Sequence, residues 1–219
     1  MRLFVTTVLS LGSVAIAAVP GFDISHYQSS VDFAAAYGSG ARFVIIKATE
    51  GTTYIDPSFS SHYSGATSAG LIRGGYHFAH PDSSSGVDQA KYFLAHGGGW
   101  SKDGITLPGM LDLEGDCAGL SASAMVSWIK DFSDTYYGST GRYPLLYTNP
   151  SWWSSCTGGS NAFINTNPLV LARYSSSAGT PPGGWPYYTI WQFNDAYQYG
   201  GDSDTFNGEF SSLQKLASG

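Results

Sequence analysis

Residues 105–117, ITLPGMLDLEGDC, place two carboxylic acids, Asp112 and Glu114, at the end of a run that is otherwise apolar. In an extended strand residues two apart share a face, so the spacing puts both acids on one side and turns Leu111 and Leu113 to the other. Two acids held together in a partly dry site cannot both ionise easily, and their pKa values are driven apart. One stays protonated and can act as a general acid while the other stays charged. Cleavage of a glycosidic bond through an oxocarbenium-like transition state asks for such a pair. Two residues of strand set the side-chain roots about 6.7 Å apart, between the separations usual for retaining and inverting enzymes, so spacing alone leaves the stereochemistry open.

The pair needs a scaffold that ends several strands in one place. Strand-length apolar runs lie at 21–24, 43–48, 70–78, 106–113, 143–148, 169–173 and 188–193, and helical patterns at 31–37, 57–69, 87–96 and 121–137. The last helix is the clearest: Ser121 can cap it, and Met125, Trp128, Ile129, Phe132 and Tyr136 form one apolar stripe. Alternation of strands and helices without a break in composition predicts parallel strands with helical crossovers in a single domain. Strands this uniformly apolar are expected to be covered on both faces. An open doubly wound sheet and a barrel both satisfy the pattern. The polar residues favour the barrel: Asp23, Glu50, His77, Asp112 with Glu114, Tyr147, Arg173 and Gln192 fall at or just past the C-terminal ends of different strands, and only a barrel gathers those ends into one mouth. The chain is short for eight full strand–helix units, so helices should be missing, most plausibly around 149–168 and 175–187, which are rich in Gly, Pro and Ser.

Residues 1–18 read as a secretory signal peptide, with Arg2 before an apolar run and Ala15-Ile16-Ala17 as a small-x-small cleavage site. The remaining 19–219 form one expected catalytic domain, acting in the extracellular space. Without Arg2, nine Lys and Arg stand against sixteen Asp and Glu, a formal charge of about −7. That balance argues against nucleic acid as a partner, and no remaining stretch is long enough to span a membrane. Cys117 and Cys156 are the only cysteines. In an oxidising compartment they predict a disulfide, worth about 4 kcal/mol for a closed loop of about 40 residues in the chain-entropy account. His77 and His80 would point to opposite faces of a strand, so no metal site is expected, and no cofactor.

Several longer segments carry a family likeness: 21-GFDISHYQ-28, 42-RFVIIKATEGTTY-54, 73-RGGYHFAHP-81, 105-ITLPGMLDLE-114, 142-RYPLLYTNPSWW-153 and 189-TIWQF-193. With these in order, the chain resembles the Chalaropsis-type lysozymes, N,O-diacetylmuramidases of glycoside hydrolase family 25, over essentially the whole of 19–219. The resemblance implies an α/β, TIM-like barrel with eight strands and a reduced set of helices. It also implies hydrolysis of the β-1,4 bond between N-acetylmuramic acid and N-acetylglucosamine in the glycan strands of bacterial peptidoglycan. Carried over by motif, Glu114 is the expected general acid, Asp112 the residue that orients the substrate's 2-acetamido group, and Asp23 the acid of the first strand. Glu50 of the TEG motif is a further candidate at the site. The family's additional C-terminal aspartate falls among Asp195, Asp202 and Asp204, of which Asp204 is preferred for its place before Phe206-Asn207. Tyr76, Tyr147 and Trp191 are the expected sugar platforms or acetamide donors. A monomer without cofactor is expected. A chitinase-like glycosidase and a sugar-binding barrel that has lost catalysis are the rival readings.

Overall fold

The computed structural model describes residues 18–219; the predicted signal peptide otherwise lies outside the described residues. Eight strands close a barrel: β1 (Val19–Ile24), β2 (Phe43–Glu50), β4 (Ile72–Phe78), β5 (Met110–Asp112), β6 (Leu145–Thr148), β7 (Leu169–Ala172), β8 (Ile190–Asn194) and β9 (Asp202–Phe206). They run in the order β1-β9-β8-β7-β6-β5-β4-β2, with β1 paired to β2 to complete the ring. A two-residue strand, β3 (Tyr54–Ile55), folds back on the end of β2. The helices are α1 (Phe33–Gly38), α2 (Phe59–Ser68), α3 (Gly86–Ala95), α4 (Ala122–Thr140), α5 (Pro150–Thr157) and α6 (Phe210–Ser218).

The expected barrel and its reduced helix set are present, with three corrections. The ring is mixed rather than all parallel, because β9 runs antiparallel to both β1 and β8. Only residues 195–201 join β8 to β9, too few for the crossover of a dozen or more residues that a parallel neighbour requires. Gly201 makes that return possible, since its φ is +80° and a Cβ there would lie 1.9 Å from the Asp23 carbonyl oxygen. Second, the segment expected as loop at 149–168 contains α5: Asn149 accepts from the Trp152 N–H, Pro150 starts the helix and Gly158 ends it in the left-handed region. Third, β5 is shorter than the predicted 106–113. Pro108 and Gly109 break it, and Thr106 keeps only a bridge to Arg73.

Packing follows the strand alternation. Phe43, Ile45, Ile72, Met110, Leu145, Val170, Ile190 and Phe206 fill the barrel interior, and Leu213 and Ala217 of α6 close it from below. On the outside, Leu111, Leu113, Leu146, Leu169 and Leu171 meet α3, α4 and α5, where all five residues of the α4 stripe are buried. Phe22, Ile24, Val44 and Ile46 meet Phe33, Ala36 and Ala66 of α1 and α2. Between β7 and β8 there is no α-helix, only a 3-10 turn at Pro182–Gly184. The Cys117–Cys156 disulfide ties the loop after Glu114 to α5, so the acid pair is anchored to the helix layer.

Candidate active site

The C-terminal ends of the parallel strands form the mouth of the barrel, and the inward positions there change from apolar to polar. On β2, Phe43 and Ile45 of the core are followed at the same parity by Lys47; on β6, Leu145 is followed by Tyr147; on β8, Ile190 is followed by Gln192. Because β9 runs the other way, its first residues, Asp202 and Asp204, reach the same end beside Asp23 and Gln192. A cleft of about 230 Å³ opens here, lined by Asp23, Tyr27, Lys47, Tyr76, Glu114 and Asp202 among others.

Gln192 organises the polar groups. Its Nε2 donates to Asp23 Oδ2 at 2.7 Å and to Asp202 Oδ2 at 3.0 Å, while its Oε1 accepts from the hydroxyls of Tyr147 at 2.8 Å and Tyr174 at 3.2 Å. Across the cleft, Lys47 Nζ lies 2.6 Å from Glu50 Oε2, and His80 Nε2 lies 2.8 Å from Glu50 Oε1. Five carboxyl groups therefore share the mouth with a single buried ammonium that already has a partner.

That imbalance sets the proton affinities. Burial, followed by the charges of Asp202 and Glu114, raises Asp23 to about 7, although the bond from Gln192 opposes the rise. Burial lifts Asp112 well above the carboxylate range, with Glu114 and Asp23 adding to it and Lys47 opposing. Glu114 is raised by desolvation and by Asp202, Asp202 by burial and Asp195, and Asp204 strongly by burial, Asp23 and Asp202. Glu50 goes the other way: despite some burial, its bonds to Lys47 and His80 hold it below its usual value. At neutral pH the mouth thus holds protons on acids, which is the condition for general acid chemistry.

Most of the residues singled out from sequence converge. Asp23, Glu114 and Tyr76 line the cleft, Asp112 sits beneath it at 6 % exposure with Oδ1 unbonded, and Tyr147 is buried below Gln192. Glu50 stands at the rim. Trp191 is not brought in: on β8 it alternates with the inward Gln192, so it lies on the outer surface beside Tyr188 and Phe193, its indole N–H donating to the Arg173 carbonyl. Asp204 is enclosed at 2 % exposure behind Asp23 and does not face the cleft. His77 bonds to Thr49 and Gln89 in the interior of the fold, and Trp152 and Trp153 pack in the helix layer.

Three residues, Lys47, Tyr27 and Tyr174, escape the sequence reading, and a fourth, Asp202, was a candidate that the reading ranked below Asp204. Lys47 carried a usable signal, a lone cation inside FVIIKA, which can be buried only if something anionic receives it. Asp202 shares the parity of Asp204 in DSDTF and lay in the same candidate segment. Tyr27 and Tyr174, 81 % and 55 % exposed at the cleft side, offered no signal beyond being aromatic and next to strand ends.

Comparison with known proteins gives a consistent result. A family model described as glycosyl hydrolases family 25 matches residues 22–202. The chain is 69 % identical over 210 residues to an N,O-diacetylmuramidase of Chalaropsis sp, covering 92 % of this chain and all of that one. It is 59 % identical to an N,O-diacetylmuramidase of Arthroderma benhamiae with full coverage of both. Among solved structures, a muramidase from Trichobolus zukalii superposes with a TM-score of 0.91 at 68 % identity, covering 92 % of this chain and 99 % of that one. A family GH25 lysozyme from Aspergillus fumigatus gives 0.91 at 58 % identity, covering 93 % and 100 %. On these matches, together with the acid-lined barrel mouth, the chain belongs to glycosyl hydrolase family 25.

Proposed function

We infer that this protein is a muramidase: it hydrolyses the β-1,4 bond between N-acetylmuramic acid and N-acetylglucosamine in bacterial peptidoglycan, the activity that the names of its relatives carry. The observation that bears most weight on how it does so is Glu114, the carboxyl group that opens on the cleft while being held above its ordinary pKa by desolvation and by Asp202. A group of that kind holds its proton to higher pH than a free carboxyl does and still opens on the cleft where a glycosidic oxygen would lie.

In this reading Glu114 gives its proton to the leaving oxygen as the bond to the anomeric carbon breaks. Asp112, directly below and with Oδ1 free of protein partners, takes the N–H of the substrate's 2-acetamido group. The acetamide is thereby oriented so that its own carbonyl oxygen attacks the anomeric carbon. Glu114, now a carboxylate, then removes a proton from the water that opens the cyclic intermediate, and retention results. Asp23, held by Gln192, shapes the charge of the cleft on the side opposite Lys47. Tyr27, Tyr76 and Tyr174 supply faces and hydroxyls for the sugars, and Glu50 keeps Lys47 in place at the rim. The same reading has residues 1–18 removed on export and 19–219 acting outside the cell as one monomeric catalytic domain.

The test is product analysis. Purified peptidoglycan is digested with residues 19–219, the fragments are reduced with borohydride, and new ends are identified by mass spectrometry. Reduced muramic acid ends are expected. Reduced glucosamine ends, or no new ends, would overturn the muramidase reading.

A further inference from the structure

Asp204 is the one carboxyl of the mouth that neither solvent nor sugar reaches. It sits within β9, opposite Gly21 of β1 on one side and Gln192 of β8 on the other, 2 % exposed. Neither of its oxygens receives a hydrogen bond from any donor of the described residues. The potential donors nearby are already committed. Gln192 spends its Nε2 on Asp23 and Asp202, Tyr147 and Tyr174 spend their hydroxyl protons on Gln192, and Lys47 is paired with Glu50. The ionisable groups acting on Asp204 are Asp23 on β1 and Asp202 on β9 itself; Glu114 acts on Asp23, and the phenols of Tyr76, Tyr147 and Tyr174 also face Asp23, none of them a cation.

A carboxylate with no donor, no cation and like charges around it is not a stable occupant of a buried site. A protonated carboxylic acid is, because it becomes a donor, and the carboxyl on the paired strand β1, two residues from Gly21 and on the same face, is Asp23. We propose that Asp204 is a permanently protonated acid that donates its proton to the Asp23 carboxylate, making it a positioning residue for Asp23 rather than a contact for sugar.

The arrangement gives Asp23 two donors from different strands, Gln192 from β8 and Asp204 from β9, and these fix the plane of its carboxylate. It also favours the charged form of Asp23, which desolvation and the neighbouring Asp202 and Glu114 disfavour. Asp23 and Asp204 then share one proton, as acid dyads do, with the exposed member ionising and the enclosed one retaining the proton. The proposal rests on the muramidase reading only in treating Asp23 as a working group of the site.

The protonation state can be read without any substrate. In residues 19–219 labelled with ¹³C at aspartate carboxyls, with Asp204 assigned by the loss of its signal in Asp204→Asn, the Asp204 carbon should keep the shift of a neutral acid from pH 4 to pH 8 while Asp23 titrates. Movement of the Asp204 signal to the carboxylate position between pH 4 and pH 6 would overturn the proposal, whatever the enzyme cuts. The kinetic arm uses the pH profile of kcat/KM. Asp204→Val, which removes the donor, should move the limb that reports Asp23 ionisation upward by about one pH unit, and Asp204→Asn, whose amide N–H can still donate, should return it toward wild type. A limb that stays in place in Asp204→Val would reduce Asp204 to packing and sink the idea. If that variant fails to fold, the carboxyl spectrum of the wild-type protein still decides.

Discussion

The two ends of the barrel close over the same apolar interior and are built in opposite ways. At the mouth, Asp23, Glu114 and Asp202 line a cleft of about 230 Å³, with Asp112 beneath it and Asp204 enclosed behind Asp23. At the floor, Leu213 and Ala217 plug the interior and a larger cavity of about 450 Å³ lies among Arg142, Asn165, Tyr187, Tyr188 and Lys215, without one carboxylate in its lining. Cavity size would point to the wrong end. What separates the two is whether the residues are arranged to satisfy the fold or against it: the floor groups pack and bond, while the mouth groups crowd like charges into a desolvated corner. That is the pattern expected of a working site, where perturbed acids are maintained by the stability of everything else.

The sharpest way to break this contrast is to remove Glu114, the proposed proton donor. Glu114→Gln keeps the size of the side chain and relieves crowding of charge, so the protein should fold with equal or greater thermal stability. Turnover on peptidoglycan should fall by at least ~10²-fold, the usual scale for loss of a general acid. A folded variant that works at near-native rate would remove Glu114 from its role and leave the mouth without an assigned acid.

The complementary change is at the floor. Leu213 is fully buried against the barrel interior, and Leu213→Ala should cost about 3 kcal/mol of stability, within the range for such truncations. Measured below its lowered melting temperature, kcat should stay within about twofold of wild type. A tenfold loss of kcat with the fold intact would mean that the two ends are mechanically coupled and that the division drawn between them is false.

The same division explains what could be read from the sequence. The segment from β1 to α4 was legible because each strand is a continuous apolar run and each helix has a periodic face, so local pattern and tertiary placement agree. Residues 195–219 were not. β9 is DSDTF, a strand whose inward positions are two acids and then Phe206; by pattern it reads as a polar loop, and only closure of the ring by a short antiparallel return makes it a strand. The site inherited that difference. Asp23, Asp112 and Glu114 could be placed because they end legible strands. The preference for Asp204 as the site's C-terminal aspartate and the expectation of Trp191 as a platform depart from the structure because the parity of β8 and β9 relative to the barrel is fixed by pairing, which a single chain segment does not display. Gln192 could be placed at a strand end but not recognised as the hub of the hydrogen bonding, since its four partners come from positions 23, 147, 174 and 202.

A smaller effect tests the electrostatic half of the comparison. All five mouth acids have folded-state pKa values above their ordinary ones, reaching about 7 for Asp23. An acid shifted upward binds protons in the folded state that the unfolded chain has released, so its contribution to stability is present below the ordinary carboxylate range and is lost as pH rises through the folded value. Glu114 and Asp202 remain partly solvated, and their share is reduced by screening. Two groups act in the opposite sense over the same range: His77, pushed down by burial to about 4, and His62, lowered by burial, favour folding increasingly as pH rises toward their ordinary values. Glu50, and Asp103 at about 2, are shifted downward, so their contributions are complete by about pH 5 and do not change above it. The five acids outnumber the two histidines, and the melting temperature should therefore fall between pH 5 and pH 8, by at least ~3 °C, the shift that about 1 kcal/mol produces in a chain of this size. Calorimetric scans across that range check it, and the slope should be shallower in Glu114→Gln. A melting temperature that is flat or rises toward pH 8 would mean that the mouth acids are ionised and accommodated in the folded protein, and the poised cluster on which the contrast between the two ends depends would not exist.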